Sequence, residues 1–397
     1  MAPPPLTGLR VLEVSHNLAG PLTGMHLGDL GADVIKVERP EGDEWRDHER
    51  GSGSPGRSRH HMQANRGKRA VCLDLGIADG RSVLRELIAR ADVLITNMRP
   101  GVAGRLGFGW EESRKLNPGL VYCAISAFGE AGPRGGRRGY DILGEALAGF
   151  MPPGLARGDD PPQASPIPIN DTALPLLACT GILAALIERG RTGRGQLVES
   201  TILGSAVALN AHSLVRIEAL PGHGTPTFSR ALYRAYRTSD GWIAIGAYAE
   251  RLARRFCEVM GFAGLFDAPP WDDRAVRVTR ADELVELFAP RFLERTTAQW
   301  DDAMAAAGIP AAPVRERDDL FDDPQLWRSG LLEVVEDDEV GPITMTAPVV
   351  RLSDSPGAIR FPGRHLGQDT RAVLAELGHD EREIARLVES GAAVCRE

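Results

Sequence analysis

The feature that most constrains the fold is the alternation, through the first third of the chain, of short apolar runs with helix-like stretches. Leu9-Arg-Val-Leu-Glu-Val reads as a strand, and Gly20 to Leu30 reads as a helix with apolar Leu22, Met25, Leu27 and Leu30. Asp33-Val-Ile-Lys-Val-Glu is the next strand. The pattern continues through Ala70-Val-Cys-Leu-Asp-Leu, a helix over Gly80 to Ala89, Asp92-Val-Leu-Ile-Thr and Leu120-Val-Tyr-Cys-Ala-Ile-Ser. Apolar strands separated by helices predict an α/β fold, a Rossmann-like, doubly wound parallel sheet covered by helices. Ligands of such sheets sit at the carboxyl ends of the strands.

The chain has 397 residues, enough for two domains and for a core that needs no staple. At 43% apolar and 25% charged it has the composition of a globular protein. A net charge of −8 disfavours a general binder of nucleic acid or anionic membrane. The longest apolar stretch, Leu174 to Ile187, is 14 residues, short of the roughly 18 needed to span a bilayer, so no transmembrane helix is expected. The start of the chain lacks a basic region and an apolar region, which argues against secretion. Cys72, Cys123, Cys179, Cys257 and Cys395 are widely spaced and form no CxxC pair, so they read as buried thiols of a reducing cytoplasm. Lys36, Lys68 and Lys115 are the sole lysines in a chain rich in Ala, Gly and Arg, a bias that suggests a bacterial genome rich in GC.

Between Ala131 and Asn170 the chain is rich in Gly and Pro, including Pro152-Pro153, and should be loop-dominated. An apolar helix from about Thr172 to Glu188 follows, then a Gly-punctuated turn from Arg189 to Gly195, a helix over Ser200 to Ile217, and a linker at Pro221-Gly-His-Gly. Thr227 to Leu332 reads as a separate unit with a hairpin at Tyr233 to Gly246. Residues 267–339 carry 19 acidic residues against 8 arginines, whereas residues 46–69 carry 7 basic against 2 acidic. An anionic ligand is therefore expected on the first unit.

Gly28-Asp-Leu-Gly31 followed by a strand ending at Glu38 invites a dinucleotide reading, but the first strand-to-helix turn, Ser15 to Gly20, has no GxGxxG. Arg39, Arg66, Lys68, Arg99 and Arg105 each lie near a predicted strand end, where phosphates collect and a planar, multi-donor guanidinium suits them. A solvated charged face is the other reading of the same run. His60 and His61 lack a third ligand at metal spacing, so no metal site is expected. Asp171 stands before an apolar helix, which fits an N-cap. It also fits a carboxylate nucleophile kept ionised by the helix terminus. Tyr140-Asp141 follows a Gly-rich turn and, unaided, reads as packing.

Taken together, a series of segments resembles the family III CoA-transferases, which include formyl-CoA transferase and share their fold with alpha-methylacyl-CoA racemase. They are Leu9-Arg-Val-Leu-Glu-Val with Ala19-Gly-Pro, Leu30-Gly-Ala-Asp-Val-Ile-Lys-Val-Glu-Arg-Pro, Asn65-Arg-Gly-Lys-Arg-Ala-Val-Cys-Leu-Asp-Leu and Ala91-Asp-Val-Leu-Ile. Asn97-Met-Arg-Pro-Gly, Asn117-Pro-Gly-Leu-Val-Tyr, Thr180-Gly-Ile-Leu-Ala-Ala-Leu, Arg191-Thr-Gly-Arg-Gly-Gln and the closing Leu366-Gly-Gln-Asp-Thr-Arg complete the series. The resemblance implies that Asp171 is the catalytic nucleophile. It also implies that Leu18, Ala19, Arg39, Leu73, Asp74, Leu75, Gly76, Asn97, Met98, Arg99, Arg105, Arg138, Gly139, Tyr140 and Asp141 contact CoA. It further implies a large Rossmann-like domain made from both chain ends, residues 1–205 and 346–397, with a smaller α+β domain at 227–332 inserted through linkers at 206–226 and 333–345. Two such chains would interlock as a homodimer. Coenzyme A or its thioester would be a substrate, with no prosthetic group.

There are departures from the family pattern. Leu18 replaces a glutamine near the formyl-CoA transferase site, the glycine-run lid of that enzyme is absent, and Gly246-Ala-Tyr-Ala-Glu resembles the racemase. The racemase Gly-His-Asp motif is Gly139-Tyr140-Asp141 here. The expectation is a transferase moving CoA from an acyl-CoA to a free carboxylic acid through aspartyl anhydride and aspartyl-CoA thioester intermediates. The alternatives are an alpha-methylacyl-CoA racemase or epimerase, and a catalytically silent CoA-binding subunit in which Asp171 only caps its helix.

Overall fold

The structure is a computed structural model that describes residues 2–48, 53–151, 161–219 and 229–396. The expected turn at Pro152-Pro153, the linker at Pro221-Gly-His-Gly and part of the basic run at 49–52 lie outside the described residues. The chain forms two compact units, Met1–Val215 with Gln325–Glu397, and Arg216–Pro324.

The larger unit begins with β1 (Arg10–Val14), α1 (Ala19–Asp29), β2 (Asp33–Glu38), the two-residue strands β3 (Gly53–Ser54) and β4 (Arg57–Ser58), and α2 (Arg59–Ala64). It continues through β5 (Lys68–Leu73), α3 (Ala78–Ala89), β6 (Val93–Thr96), α4 (Val102–Arg105), α5 (Trp110–Leu116) and β7 (Val121–Ser126). α6 (Asp141–Leu147), α7 (Ile169–Thr192), β8 (Leu197–Thr201) and α8 (Ile202–Leu209) close this segment. The smaller unit holds β9 (Tyr233–Arg237), β10 (Trp242–Gly246), α9 (Glu250–Val259), α10 (Arg274–Thr279), α11 (Ala281–Phe292), α12 (Thr297–Ala306) and β11 (Ala311–Pro313). Its three-stranded antiparallel sheet packs on Phe256, Phe288, Phe292 and Trp300. The last segment comprises α13 (Pro324–Arg328), β12 (Leu332–Asp337), β13 (Gly341–Thr346), α14 (Thr370–Leu377), α15 (Glu381–Glu389) and β14 (Ala393–Val394).

The large sheet runs β14-β5-β2-β1-β6-β7-β8. Its strands are parallel except β14, which pairs antiparallel with β5. The Rossmann-like α/β fold expected from the alternation is therefore present. Successive side chains of a strand point to opposite faces, so Leu12 and Val14 join Ile35, Val71 and Leu94 under α3, α14 and α15. Val11 joins Val34, Val93 and Val121 under α1 and α7 on the other face.

Four elements differ from the sequence reading. β8 was not anticipated, and α8 ends at Leu209 instead of Ile217. The stretch 333–345, expected as a linker, contains most of the β12–β13 hairpin. α7 is 24 residues long and, by length and composition alone, long enough to cross a bilayer, so the length argument against a span does not hold. What decides is packing: Leu174, Ala178, Ile182 and Ala185, spaced by three or four, are buried against the sheet as a core helix requires.

The basic run is largely consumed inside the fold. Arg46 makes a two-pronged pair with Glu38 at 2.8 and 2.5 Å, Arg66 one with Asp29 at 3.0 and 2.6 Å, and Arg57 one with Asp337 at 2.7 and 2.9 Å. Beneath the first turn, buried Glu13 accepts from Lys36 at 3.1 Å and pairs with Lys68 at 2.8 Å, while Lys36 also reaches Asp43 at 3.1 Å. Burial opposes ionisation of Glu13, but the two ammonium groups override it and hold the carboxyl below its ordinary range. Glu13→Gln leaves two buried cations facing one anion. It should lower stability by about 3–5 kcal/mol in urea unfolding, and a change under about 1 kcal/mol would show that the cluster is not a structural keystone.

Candidate active site

The sheet changes direction at β1, which pairs with β2 on one side and β6 on the other. A crevice is expected at the carboxyl ends there, and a cleft of about 740 Å³ lies in that place. Its walls come from the ends of β1, β2, β5, β6 and β7 and from the turns that follow them.

The turn after β1 is built by long-range contacts. Asn97, just past β6, accepts the His16 N–H through Oδ1 at 3.0 Å and donates through Nδ2 to the His16 carbonyl at 2.6 Å. Asn17 sits in the left-handed region at φ 61°, where Asn is among the tolerated residues, and its N–H donates to Asp43 at 3.1 Å. Lys36 donates to the Ser15 carbonyl at 3.1 Å. Gly20 is required because a Cβ there would lie 2.4 Å from the Ser15 side chain.

Of the residues expected to contact CoA, Leu18 and Ala19 line the cleft at the start of α1. Arg39 lines it after β2, Leu73, Asp74, Leu75 and Gly76 after β5, and Asn97, Met98 and Arg99 after β6. Arg138, Gly139 and Tyr140 line it from the loop before α6. That loop comes so close to the end of β7 that a Cβ on Gly139 would sit 2.6 Å from Ala127. Arg39 and Arg99 are exposed, and Arg39 has Glu41 and Glu44 at 3.7 and 3.8 Å as weak partners. Arg105 is exposed on α4 and does not line the cleft, nor does Asp141. Arg66 and Lys68, selected at the sequence level for phosphate, are instead buried in the ion pairs with Asp29 and Glu13. Their proximity to strand ends was real, but the acids that claim them are distant in sequence.

Asp171 also lines the cleft. α7 starts at Ile169, three residues earlier than expected, so Asp171 lies inside the first turn and is not its N-cap. The cap comes from α6: Asp141 Oδ1 accepts the N–H of Asn170 at 2.6 Å and that of Asp171 at 2.9 Å. The Asp171 carboxylate is thereby released from capping, and burial, aided by the negative charge of Asp141, pushes its pKa up to about 6. Pro175 lies in the second turn of α7, where its missing N–H cannot serve the Asp171 carbonyl. Asp141 is itself raised: burial and Glu145 push it up against the two N–H donors that hold it down.

Ser15, His16, Asn17, Ser126, Ala127, Arg137 and Ile202 line the cleft and were not singled out from sequence. The strand-end rule that selected Arg99 after β6 could have found Ser126 and Ala127 at the end of β7, whereas Ile202 reaches the cleft from α8 through the fold alone.

A doubly wound sheet with a cleft at its strand ends, and the Asp171 carboxylate of α7 in the wall of that cleft, fits one class of protein in particular. The profile of CoA-transferase family III matches residues 6–370. The succinyl-CoA:glutarate CoA-transferase of Mus musculus is 34% identical over 396 residues, spanning 98% of this chain and 90% of its own. The succinyl-CoA–D-citramalate CoA-transferase of Chloroflexus aurantiacus is 34% identical over 398 residues, spanning 97% of each chain. The crystal structure of Rv3272 from Mycobacterium tuberculosis, in its orthorhombic form, superposes with a TM-score of 0.81 at 29% identity over 93% of this chain and 98% of its own. A CAIB/BAIF family protein from Brucella suis superposes with a TM-score of 0.80 at 30% identity over 95% of this chain and 100% of its own. The chain belongs to CoA-transferase family III and is an enzyme of that family.

The raised pKa of Asp171 has a consequence for folding. A carboxyl whose pKa rises on folding binds its proton more tightly in the folded chain. Its ionisation therefore costs stability as the pH climbs from about 4 to about 6, and the cost persists above that. Asp171→Asn should gain about 1–3 kcal/mol relative to wild type at about pH 7.5 compared with about pH 4, by chemical unfolding. A pH-independent difference would mean that the carboxyl titrates normally.

Proposed function

We propose that the enzyme moves CoA from an acyl-CoA donor to a free carboxylic acid, with Asp171 as nucleophile. The observation that carries this is the Asp171 carboxylate in the cleft wall, excused from capping by Asp141 and ionised at neutral pH. Asp171 attacks the donor thioester carbonyl, forming an aspartyl anhydride and releasing CoA thiolate. The thiolate attacks the aspartyl carbonyl, giving an aspartyl-CoA thioester and the donor acid. The acceptor carboxylate attacks that thioester, forming a second anhydride, and the thiolate cleaves it to the product thioester, regenerating Asp171. A carboxylate is a weak nucleophile, so positioning supplies most of the rate, and effective molarities of order 10⁵–10⁸ M are open to held groups.

Arg39 and Arg99, which line the cleft, are assigned to the phosphates of CoA, and the turns at Leu18-Ala19, Leu73 to Gly76 and Asn97-Met98 to its nucleotide and pantetheine parts; Arg105, outside the lining, is not assigned a contact. Arg138 to Tyr140 would bound the acyl end beside Asp171. Relatives named for succinyl-CoA with glutarate or citramalate favour succinyl-CoA as donor and a short dicarboxylic or hydroxy acid as acceptor. The interlocked homodimer implied by the family is favoured by apolar side chains left exposed on α7 and α8, Leu176, Leu177, Ile187, Val207 and Leu209 among them. Unpaired cysteines, four of them buried, favour a reducing, cytoplasmic setting.

The racemase reading needs a second base across the alpha carbon. Tyr140 stands where the racemase has histidine, and a phenol lacks the basic ring nitrogen that an imidazole offers.

Incubation with succinyl-CoA should leave a hydroxylamine-sensitive adduct on the Asp171 peptide by mass spectrometry, and Asp171→Ala should abolish adduct and turnover. Retained activity in Asp171→Ala would leave Asp171 a structural role, whereas a wild-type chain that forms no adduct and transfers no CoA would establish the silent subunit. In deuterium oxide, a 2-methylacyl-CoA should gain no deuterium at the alpha carbon; wash-in at the rate of CoA transfer would establish the racemase instead.

A further inference from the structure

Asp141 does not line the cleft, yet it is tied to it by three contacts. Its Oδ1 receives both the Asn170 and the Asp171 N–H, and its carbonyl receives the Asn170 side-chain amide at 3.2 Å. Asn170 is fully buried, and its own carbonyl accepts from Ser205 of α8 at 3.4 Å. α6 and the first turn of α7 are thus clasped together at the residue before the proposed nucleophile. Among the described residues, no side chain or backbone group donates a hydrogen bond to the Asp171 carboxylate itself.

We propose that Asp141 is a positioning residue: by accepting the two free N–H groups of α7 it fixes the backbone of Asp171 and leaves the Asp171 side chain unclaimed and directed to the cleft. An N-terminal helical residue of the Asp type otherwise folds back on such N–H groups, which would remove the oxygen that must attack. Asp141 also acts on Asp171 through its charge. Behind it lies buried Glu145, whose Oε2 accepts from the Ser165 N–H at 2.8 Å and hydroxyl at 2.9 Å, and Glu145 acts on Asp141 in turn. Arg137 and Arg138 line the same cleft, but among the described residues no arginine is among the charges that act on Asp141 or Asp171. The sequence motif Tyr140-Asp141 therefore divides its labour, with the tyrosine in the wall and the aspartate holding the helix behind it.

This inference rests on Asp171 being the nucleophile, and the test separates the two. Asp141→Ala should lower kcat by about tenfold or more while the Kd for CoA, by calorimetry, changes by less than about twofold. Asp141→Asn keeps an oxygen that accepts both N–H groups but loses the charge, so it should retain most of kcat and shift the acid limb of the kcat/KM profile to lower pH. The isosteric variant decides the matter should the alanine variant fail to fold. Two results would overturn the proposal: wild-type kcat and an unmoved acid limb in both variants, or a loss of CoA affinity that matches the loss of kcat. Should Asp171→Ala keep its turnover, the assignment of the nucleophile falls first. A dead Asp171→Ala beside an indifferent Asp141 pair removes the positioning role alone.

Discussion

The cleft depends on a cluster of charges that water does not reach. Glu13 on β1, Lys36 on β2, Lys68 on β5 and Asp43 beyond β2 meet beneath the first strand-to-helix turn. Each ion would be costly there alone, and together they neutralise one another while tying three adjacent strands to that turn. Lys36 holds the Ser15 carbonyl and Asp43 holds the Asn17 N–H, so the wall of the cleft is the upper surface of the cluster. The basic composition of this region thus serves the scaffold first, and of the arginines left over near the strand ends Arg39 and Arg99 face the cleft.

A second clasp frees the Asp171 carboxylate from its helix. Asp141 takes the helix-capping duty that local sequence would give to Asp171. What remains is an acid in a partly dry wall beside another acid, with its pKa raised to about 6. That value still leaves it ionised at neutral pH; in the role proposed for it, poor solvation would make attack on a thioester less costly than for a fully hydrated carboxylate.

Much of the fold was legible because strand burial is periodic. Val11 and Leu12, or Val34 and Ile35, part to opposite faces and leave a continuous apolar run in the sequence, and the Rossmann-like sheet follows from that. β8 was missed because Leu197-Val-Glu-Ser-Thr is an edge strand with two apolar residues and none fully buried, so it lacks the continuous apolar run that marks the inner strands. The start of α7 was missed because Pro166 and Pro168 read as loop and Asp171 reads as a cap, whereas the true cap is 30 residues upstream. The same blindness to distance made Arg66 and Lys68 look available. A linear reading registers a charge and its nearest strand end, and the partner that cancels it arrives only with the tertiary fold. The positions along the cleft were visible mainly through resemblance, since a serine, an asparagine or a leucine at a strand end carries little chemical signal of its own.

The central claim is that the Asp171 carboxylate becomes covalent in every turnover, and isotope transfer tests it directly. When the acceptor acid carries ¹⁸O in its carboxylate, the second anhydride shares one of those oxygens with Asp171, and cleavage at the acceptor carbonyl leaves it on the enzyme. The account predicts that, after a single turnover with labelled acceptor, the Asp171 peptide gains one ¹⁸O by mass spectrometry. Full conversion of acceptor to its CoA thioester with an unlabelled Asp171 peptide would contradict it, because the acyl groups would then have been exchanged without passing through this carboxylate.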